Sequence, residues 1–569
     1  MLIIKQKIAE RLADGIQNMG VAEAPAAAEI AAMLEYPPDP TMGDLALPCF
    51  RLSRALRRAP VQIAASLVDC LTGLDCVAHA EAVNGYLNIT VANGYLTDTV
   101  LTGILEQGAR YGGSEEGKGK TVVLDYSSPN VAKPFHIGHL GTTVIGHSLK
   151  KLHEFCGYTC VGINYLGDWG TQFGKLIVAY RKWGNREMIE QGGIDKLVEL
   201  YVRFHTEAET DKTLEDEARA EFHKLELGDA DNTALWRWFV DISLAEYQKT
   251  YKQLGITFDS YKGESFYTDK MPAEVEKLRQ KGLLKIDDGA SLVDLSAYNM
   301  PPCLILKRDG STLYPTRDIA AAVYRQNTYR FDKAIYVTSA QQCLHFAQWF
   351  KVVELMGYDW YDKLVHVPYG TVSVGGAKLA TRTGNVVLLK DLFRAAVDEV
   401  RAIMKEKNTD AADDESIAEA VGVGAIVFYY LSNNRIKDIN FVMEDALNFD
   451  GSTGPYVQYA YARTCAVLRK CTGAGTGAFR ITAPEEAALL KVLARFPECV
   501  QAAVRDYEPS IVTRYILDVA TAFNRFYHNC QILCGEGDVT ATRVAITKAV
   551  NTVLANALPL ICLKAMEKI

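Results

Sequence analysis

The sequence predicts an α/β protein in which a parallel sheet is preceded by a small α+β domain and followed by an all-α helical bundle. An apolar strand, Val122 to Leu124, runs through a polar loop into a helix whose apolar residues recur at helical spacing as far as Phe155. A second strand, Tyr158 to Asn164, repeats this order, and helical periodicity dominates after Leu389. Successive strand–helix units predict a Rossmann-like parallel sheet, with insertions, that binds its ligands at the carboxyl ends of the strands.

The composition is that of a globular protein with several domains. The 569 residues exceed what one hydrophobic core organises, so roughly two to four domains are expected. The 49% hydrophobic and 23% charged residues are ordinary for a soluble protein. No apolar run is long enough to cross a bilayer and no secretory signal is seen, so we expect no membrane contact. The net charge of −8 does not favour RNA binding, which would need a local basic surface such as residues 51–58.

Cysteine usage indicates a reducing compartment. The thirteen cysteines are scattered, and none forms a CxxC pair or a zinc-finger spacing. The nearest candidates, Cys156/Cys160 and Cys530/Cys534, lie on helical patterns and are better interpreted as buried thiols. We therefore expect a cytoplasmic protein without a structural metal.

Residues 1–115 are predicted to form the small α+β domain. One helical pattern runs from Ile4 to Met19, and the clearest strand is Val83 to Val91. Tyr86 and Asn88 are two residues apart and so lie on one face of that strand. A solvated strand face and a surface that reads RNA bases are both compatible with this pair.

A Gly- and charge-rich linker, Tyr111 to Lys120, separates this domain from the sheet. It nearly matches a phosphate-binding P-loop, but Gly119 stands where Ser or Thr is needed, and the segment precedes a strand instead of following one. We therefore predict a domain boundary here. The sheet domain is expected at 116–388, with an insertion at about 185–300, and the bundle at 389–569.

The helix after the first strand begins with two histidines, His136 and His139, with Gly138 between them and Lys133 upstream. The free N–H groups and positive dipole of a helix start attract anions, so this end suits a nucleotide triphosphate. An isolated pair of histidines at this spacing is more often a pair of surface residues or of metal ligands. A dinucleotide oxidoreductase would share the architecture, but the GxGxxG pattern is missing from this turn.

The main sheet is predicted to resume after the insertion. Cys303 to Lys307, an Asp-Gly turn and Leu313 to Thr316 form a hairpin pattern. Thr316 can cap a helix that begins at Arg317. A further strand is expected from Leu364 to Val374.

Polar side chains follow several of these predicted strands. Asp318 is either a partner of the helix dipole or a ligand-binding carboxylate. The polar segment 125–130 follows the first strand, and Gln342 follows the strand from Lys333 to Thr338. We expect these groups to converge with Asp318 on one edge of the sheet.

Four segments, in this order, resemble the class I aminoacyl-tRNA synthetases and, within that class, the arginyl enzymes. They are SSPNVAKPFHIGHL at 127–140, GDWGTQFG at 167–174, YPTRDIAAA at 314–322 and FDGSTGPYVQYAYAR at 449–463. A glycine-flanked basic loop at 375–385 resembles the KMSKS loop of the class, but it reads KLATR, so Thr381 replaces the second lysine. By this resemblance Lys133 takes over the lost role.

The resemblance implies that arginine and ATP form arginyl-adenylate with release of pyrophosphate, and that the arginyl group then passes to the terminal adenosine of tRNA. The residues implied to act in catalysis are His136, His139, Lys133 and Lys378. Those implied to bind ATP are His136, Gly138, His139, Lys378 and Arg382. Those implied to bind arginine are Asp125, Asn130, Tyr314, Asp318 and Gln342. Those implied to bind tRNA are Tyr86, Asn88, Tyr459 and Arg463.

The implied partners are L-arginine, ATP and the tRNA for arginine, and a monomer is expected. Mg²⁺ would arrive with ATP, because no protein metal site is visible in the sequence. A guanidinium is planar and always charged, so its pocket needs carboxylate and carbonyl oxygens at fixed angles. The helical C-terminal part is expected to bind unpaired bases, although most aromatic stripes at helical spacing are core.

Two other functions are compatible with parts of the sequence. A cysteinyl or glutaminyl enzyme of the same class predicts a zinc-binding Cys/His set or another side-chain pocket, and neither is seen. A tRNA-binding paralogue without activation chemistry predicts loss of His136, His139 or Lys378, and all three are present.

Overall fold

The computed structural model describes residues 1–19, 24–374, 377–378, 387–406, 414–448, 451–471, 479–535 and 537–569. Within them an antiparallel α+β unit, a parallel α/β sheet and a helical bundle follow one another along the chain. This arrangement confirms the predicted fold class.

The N-terminal unit packs short helices on a three-stranded antiparallel sheet. Its elements are α1 (Leu2–Asn18), α2 (Ala27–Met33), β1 (Leu45–Pro48), α3 (Ser53–Leu56), α4 (Pro60–Val68), β2 (Val77–Val83), β3 (Tyr86–Val91), α5 (Asn93–Tyr95) and α6 (Thr102–Gln107). The single strand predicted from Val83 to Val91 is wrong in one respect. Asn84 and Gly85, both at positive φ, form the turn of a hairpin in which β2 precedes β3. Most β2 side chains are exposed, so its sequence lacks the alternation that marks a half-buried strand.

The central part of the chain contains the parallel sheet. In chain order its elements are β4 (Thr121–Asp125), α7 (Gly138–Phe155), β5 (Thr159–Ile163), α8 (Thr171–Trp183), α9 (Arg186–Thr210), α10 (Thr213–Glu226), α11 (Ala230–Leu254), α12 (Met271–Gln280), β6 (Leu284–Asp287), β7 (Ala290–Val293), β8 (Cys303–Leu306), α13 (Tyr314–Tyr329), β9 (Lys333–Ser339), α14 (Cys343–Leu355) and β10 (Leu364–Tyr369). Four strands pair in the order β10-β9-β4-β5, all in parallel. Asp125 at the end of β4 lies opposite Ile163 and Tyr336, so the carboxyl ends of these strands meet at one edge.

The strand predicted at Cys303 to Lys307 does not belong to this sheet. It is β8, and it pairs with β7 in a separate antiparallel sheet of order β6-β7-β8. The predicted cap at Thr316 is also wrong, because α13 already begins at Tyr314 and the Thr316 hydroxyl donates to the carbonyl of Ile305 at 2.7 Å. The sequence could not assign β8 to the right sheet, because a short apolar strand has the same pattern in both sheets and only its distant pairing partners differ.

The C-terminal part combines a small sheet with the bundle. Its elements are β11 (Val372–Val374), β12 (Ala377–Lys378), α15 (Leu389–Glu406), α16 (Glu415–Leu431), β13 (Ile439–Phe441), α17 (Met443–Ala446), α18 (Gly454–Lys470), α19 (Pro484–Leu493), α20 (Phe496–Asp506), α21 (Ser510–Asn529) and α22 (Gly537–Ala557). The strand predicted from Leu364 to Val374 is two strands, because β11 leaves the main sheet and pairs with β12 and β13. Among the described residues one segment, Gly537–Ile561, is long and apolar enough to cross a membrane, but 67% of its most apolar 18-residue stretch is buried inside the protein. It is a core helix of the bundle.

Helix α7 packs between the sheet and the bundle. Gly146 faces the ring of Tyr126 and Gly141 faces the hydroxyl of Tyr430 so closely that a Cβ at either position would overlap them. The Thr142 hydroxyl donates to the carbonyl of Val337 on β9 at 2.7 Å. These contacts fix the start of α7 relative to the carboxyl edge of the sheet.

Candidate active site

The loop between β4 and α7 is held in an unusual backbone conformation. Ser127, Ser128 and Ala132 all have positive φ, at 69°, 45° and 57°. Such conformations cost non-glycine residues about 1–3 kcal/mol each, and they persist where surrounding contacts impose them. The Ser127 hydroxyl is held by those of Tyr251 (2.7 Å) and Thr143 (2.8 Å). Strain of this kind concentrates at ligand sites.

Helix α11, in the predicted insertion, supports this loop from behind. The Tyr247 hydroxyl donates to the carbonyls of Asn130 (2.8 Å) and Lys133 (2.7 Å). The backbone N–H of Ala132 donates to the Ser243 hydroxyl at 3.1 Å. This support was not predictable from the sequence, because the insertion carries no motif that marks it.

The two histidines at the start of α7 share a defined hydrogen-bond arrangement. The N–H of Gly138 donates to Nδ1 of His136 at 3.0 Å, and the N–H of His136 donates to Nδ1 of His139 at 3.2 Å. The ring centroids lie 4.0 Å apart. Because each Nδ1 accepts a hydrogen bond, each neutral ring carries its proton on Nε2. Both Nε2–H groups are therefore available as donors.

Both imidazoles are neutral at physiological pH. Burial lowers the pKa of His136 to about 4, and the nearby charge of Lys133 adds to this effect. Burial also lowers the pKa of His139 to about 3, with His136 and Lys133 contributing in the same direction. Neutral donors at the amino end of an 18-residue helix bind a phosphate without requiring two buried cations side by side.

Asp125 lies in the same region, but the chain itself already holds its carboxylate. Nη2 of Arg325 is 2.8 Å from Oδ2, and the Ser128 hydroxyl donates to Oδ1 at 2.9 Å. Burial raises the pKa of Asp125, and the Arg325 guanidinium opposes this. The sequence did not identify Arg325 as part of the site.

Further carboxyl groups gather beside Asp125. Asp318 is paired with His345, with Nε2 and Oδ2 2.6 Å apart, and Glu264 is paired with Arg317 at 2.8 Å. Burial raises the pKa of Glu264 to about 7, and the Arg317 charge opposes the rise. The charge of Asp318 contributes to the raised pKa of both Asp125 and Glu264, so the three carboxyl groups lie close together.

Asp125 and Glu264 each have a guanidinium partner, whereas the partner of Asp318 is an imidazole, so Asp318 is the carboxyl group that can best accept an added cation. Asp168 also adds its negative charge to the surroundings of Glu264. Its own carboxylate accepts hydrogen bonds from the backbone N–H (2.8 Å) and hydroxyl (2.6 Å) of Ser265. A ligand that carries a guanidinium would relieve the repulsion among these groups. Neither Glu264 nor His345 was identified from the sequence, since both lie outside the recognised motifs.

Three other residues are predicted to bind arginine. Gln342 follows the end of β9, on the sheet edge where β4 ends. Tyr314 is exposed at the start of α13, with its ring 5.5 Å from the guanidinium of Arg317. Asn130 is exposed and bridges to Gly167, the first residue of the GDWGTQFG segment. Asp125, Asp318 and Gln342 thus lie at the carboxyl edge of the sheet, where β4 leads into the loop that carries His136.

Two predicted ATP-binding residues fall in the basic loop. Lys378 ends β12, and its backbone pairs with that of Ser373, whereas its side chain is outside the described part of the structure. Arg382 lies outside the described residues altogether. Their positions relative to the histidines stay predictions.

The residues predicted to bind tRNA lie in the N-terminal unit and in the bundle. Tyr86 is 38% exposed, but Asn88 is only 6% exposed, so the pair does not form a common open surface. On the bundle, the Arg463 guanidinium lies over the ring of Tyr459 (4.8 Å) and the ring of Tyr527 (4.9 Å). Tyr459 and Tyr527 are both exposed, and the sequence did not identify Tyr527.

The described residues contain no group of three or more His, Cys, Asp or Glu side chains placed to hold a metal ion. All thirteen cysteines are free thiols in the structure.

The parallel sheet with a histidine-bearing helix start at its carboxyl edge belongs to a class I aminoacyl-tRNA synthetase, because residues 100–443 match the family model "tRNA synthetases class I (R), catalytic domain". Residues 3–91 match the "Arginyl tRNA synthetase N terminal domain" and residues 457–569 the "DALR anticodon binding domain". The chain belongs to the arginyl-tRNA synthetase family, as the sequence predicted.

Relatives and solved structures agree with this assignment. A protein of Alkaliphilus metalliredigens named arginine–tRNA ligase is 48% identical, covering 99% of both chains. One of Clostridioides difficile with the same name is 49% identical over 95% of this chain and 96% of its own. The arginyl-tRNA synthetase structure of Thermus thermophilus has a TM-score of 0.84 at 26% identity, covering 98% of this chain and 99% of its own. That of Plasmodium falciparum, at 22% identity and a TM-score of 0.81 over 100% and 99% of the two chains, shows the shared fold.

Proposed function

We propose that this chain ligates L-arginine to its cognate tRNA in two steps. The observation that carries the proposal is the placement of two neutral Nε2–H donors, His136 and His139, on the sheet edge that also holds the carboxyl cluster around Asp318. An anionic triphosphate and a cationic amino acid can therefore meet at one site. The relatives named arginine–tRNA ligase, which match nearly the whole chain, support the choice of amino acid.

In the first step a carboxylate oxygen of arginine attacks the α-phosphorus of ATP in line. The bond from that phosphorus to the pyrophosphate oxygen breaks, and pyrophosphate leaves with the electron pair. No protein nucleophile is needed, so catalysis consists of positioning and charge stabilisation. His136 and His139 donate to the phosphate oxygens, Lys133 and Lys378 add positive charge, and Mg²⁺ accompanies ATP.

The remaining groups position the two small substrates. Gly138 and Arg382 complete the ATP site, since Gly138 presents backbone without a side chain and Arg382 carries a positive charge. Asp318, Tyr314 and Gln342 hold the arginine side chain and α-amino group. Asn130 and Asp125 complete this pocket, with Asp125 acting while it is held by Arg325.

In the second step the 2′- or 3′-hydroxyl of the terminal adenosine attacks the arginyl carbonyl, and AMP leaves. We assign tRNA binding to residues 1–115 through the exposed Tyr86, without the buried Asn88, and to the bundle 389–569 through Tyr459 and Arg463. The catalytic domain is assigned to 116–388, with its insertion at about 185–300. The enzyme is proposed to act as a cytoplasmic monomer.

The test is ATP–pyrophosphate exchange with each of the twenty amino acids, with and without total tRNA. We expect exchange with arginine alone, and greater exchange when tRNA is present. Exchange with another amino acid would contradict the substrate assignment. RNA binding without exchange for any amino acid would instead support a non-catalytic tRNA-binding paralogue.

The role proposed for Lys133 is tested in the same assay. If Lys133 supplies the charge that Thr381 does not, Lys133→Ala should lower the exchange rate by about 10²–10³-fold, the loss expected for one stabilising donor. Lys133→Arg should recover part of this loss because it keeps the charge. An unchanged rate in Lys133→Ala would contradict the assignment.

A further inference from the structure

The carboxylate proposed to bind the substrate guanidinium already has one partner. Nε2 of His345, in the first turn of α14, lies 2.6 Å from Oδ2 of Asp318, in the second turn of α13. Within the described part of the chain no other hydrogen bond or ion pair reaches Asp318, so Oδ1 keeps its acceptor capacity. The two side chains are 25% and 22% exposed, so a ligand can reach this pair.

A carboxylate has about four acceptor positions, two on each oxygen. One hydrogen bond to Oδ2 fixes the rotation of the carboxylate plane and leaves Oδ1 and one further position free. A guanidinium presents its N–H donors in a rigid fork, so it binds tightly only to a carboxylate that lies in the matching plane. An ammonium on a flexible side chain can bind the carboxylate from many directions, so its affinity depends less on that plane. Holding the Asp318 carboxylate in one plane therefore increases the affinity for an arginine side chain more than the affinity for a lysine side chain.

The surroundings of His345 favour such a positioning role. Gln342, also proposed to hold arginine, lies three residues earlier, which places both at the start of α14. The neighbouring Phe346 ring stacks on His366 at 4.3 Å, and this packing anchors the first turn of the helix. His345 thus projects from a fixed element toward the pocket carboxylate.

We propose that His345 is a positioning residue for guanidinium recognition: its Nε2–H holds Asp318 in the plane that accepts the substrate's guanidinium. The inference rests on the proposed function, because it takes Asp318 to be the residue that binds arginine. His345 itself does not contact the reacting atoms.

The test compares His345→Ala with His345→Gln, since the glutamine amide can restore an N–H donor near the position of Nε2. In His345→Ala we expect the KM for arginine to rise by about 10- to 100-fold, the range for loss of a hydrogen bond to a charged group. The KM for ATP should stay unchanged, and His345→Gln should recover most of the loss. The inhibition constant of agmatine, which carries the guanidinium without the α-carboxylate, should rise in proportion to the KM for arginine.

Lys351→Ala is the matched control, because Lys351 lies on the same helix and pairs locally with Glu354. Lys351→Ala should change neither the KM for arginine nor the inhibition constant of agmatine, and all variants should melt at similar temperatures. An unchanged or lowered KM for arginine in His345→Ala would overturn the inference, as would an unchanged agmatine constant or an equal rise in the KM for ATP. Failure of the proposed function is distinguishable from these outcomes, because the unaltered chain would then show no arginine-dependent exchange.

Discussion

Nη2 of Arg325 lies 2.8 Å from Oδ2 of Asp125, and the two side chains are only 1% and 9% exposed. The guanidinium also lies over the rings of Tyr165 (5.1 Å) and Tyr336 (5.6 Å). An arginine of the chain itself is thus enclosed beside the pocket proposed for the substrate arginine. It neutralises a carboxylate that burial alone would drive toward the protonated form.

Removal of this internal cation should destabilise the fold. Arg325→Met leaves Asp125 as a buried charge without its partner, which costs about 3–5 kcal/mol. Urea unfolding followed by circular dichroism should show this loss. Arg308→Met is the control, since its exposed pair with Asp288 should contribute at most about 1 kcal/mol. Similar small losses of stability in Arg325→Met and Arg308→Met would contradict the importance of the buried pair. Adding Asp125→Asn to Arg325→Met should recover part of the stability, because it removes the unpaired charge.

The histidine pair should affect chemistry more than binding. His139→Ala removes one Nε2–H donor and should lower kcat for pyrophosphate exchange by about 10²–10³-fold, because the donor acts where charge develops. The KM for arginine should change little. His139→Gln retains an N–H group and should recover part of the rate. A rise in the KM for arginine at unchanged kcat would place His139 in substrate binding instead.

Buried histidines should make the protein sensitive to acid. Burial lowers the pKa of His147 to about 3, with the charges of Lys151 and Lys150 adding to the effect. The unfolded value is about 6.5, so the unfolded chain takes up the proton first, and stability present above pH 6.5 is lost as the pH falls from there toward 3. Between pH 7.5 and 5.0, His147→Gln should therefore lose about 2 kcal/mol less stability than the unaltered chain.

Urea unfolding at the two pH values measures this difference. The exposed His79 provides the control, and His79→Gln should lose the same stability as the unaltered chain. If His147→Gln showed the full acid sensitivity of the unaltered chain, its imidazole would not be the source.

The stacked surface of the bundle should contribute to tRNA affinity. Tyr459→Ala removes one ring of the stack around Arg463, and base–aromatic stacking is worth about 1–3 kcal/mol per base. The KM for tRNA in aminoacylation should rise by about 5- to 150-fold, with the KM for arginine unchanged. Arg469→Ala, on the same helix and exposed, should have little effect. A KM for tRNA in Tyr459→Ala that equals the KM of the unaltered chain would show that Tyr459 does not contact tRNA.

The sequence predicted the order of the units because each is marked by local signals: a strand running into a helix, a turn or a long motif. It could not predict pairing between distant segments, so β8 was placed in the wrong sheet. The same limitation applies to the site. Asp125 was identified from its place at the end of a predicted strand and Asp318 from its motif, but their partners Arg325 and His345 carry no such local signal and meet them only through tertiary packing.

Glycines inside helices are the usual first targets for making a protein more heat-resistant, because alanine at such positions commonly gains up to about 1 kcal/mol. In α7 this strategy should fail. A methyl group at Gly146 would strike the ring of Tyr126, and one at Gly141 would strike the hydroxyl of Tyr430. A methyl group at Gly146 would push the helix away from the sheet, and one at Gly141 would push it away from the bundle. Either shift would carry the two imidazoles at the start of the helix with it. Thermostabilising libraries should therefore leave these two positions unchanged.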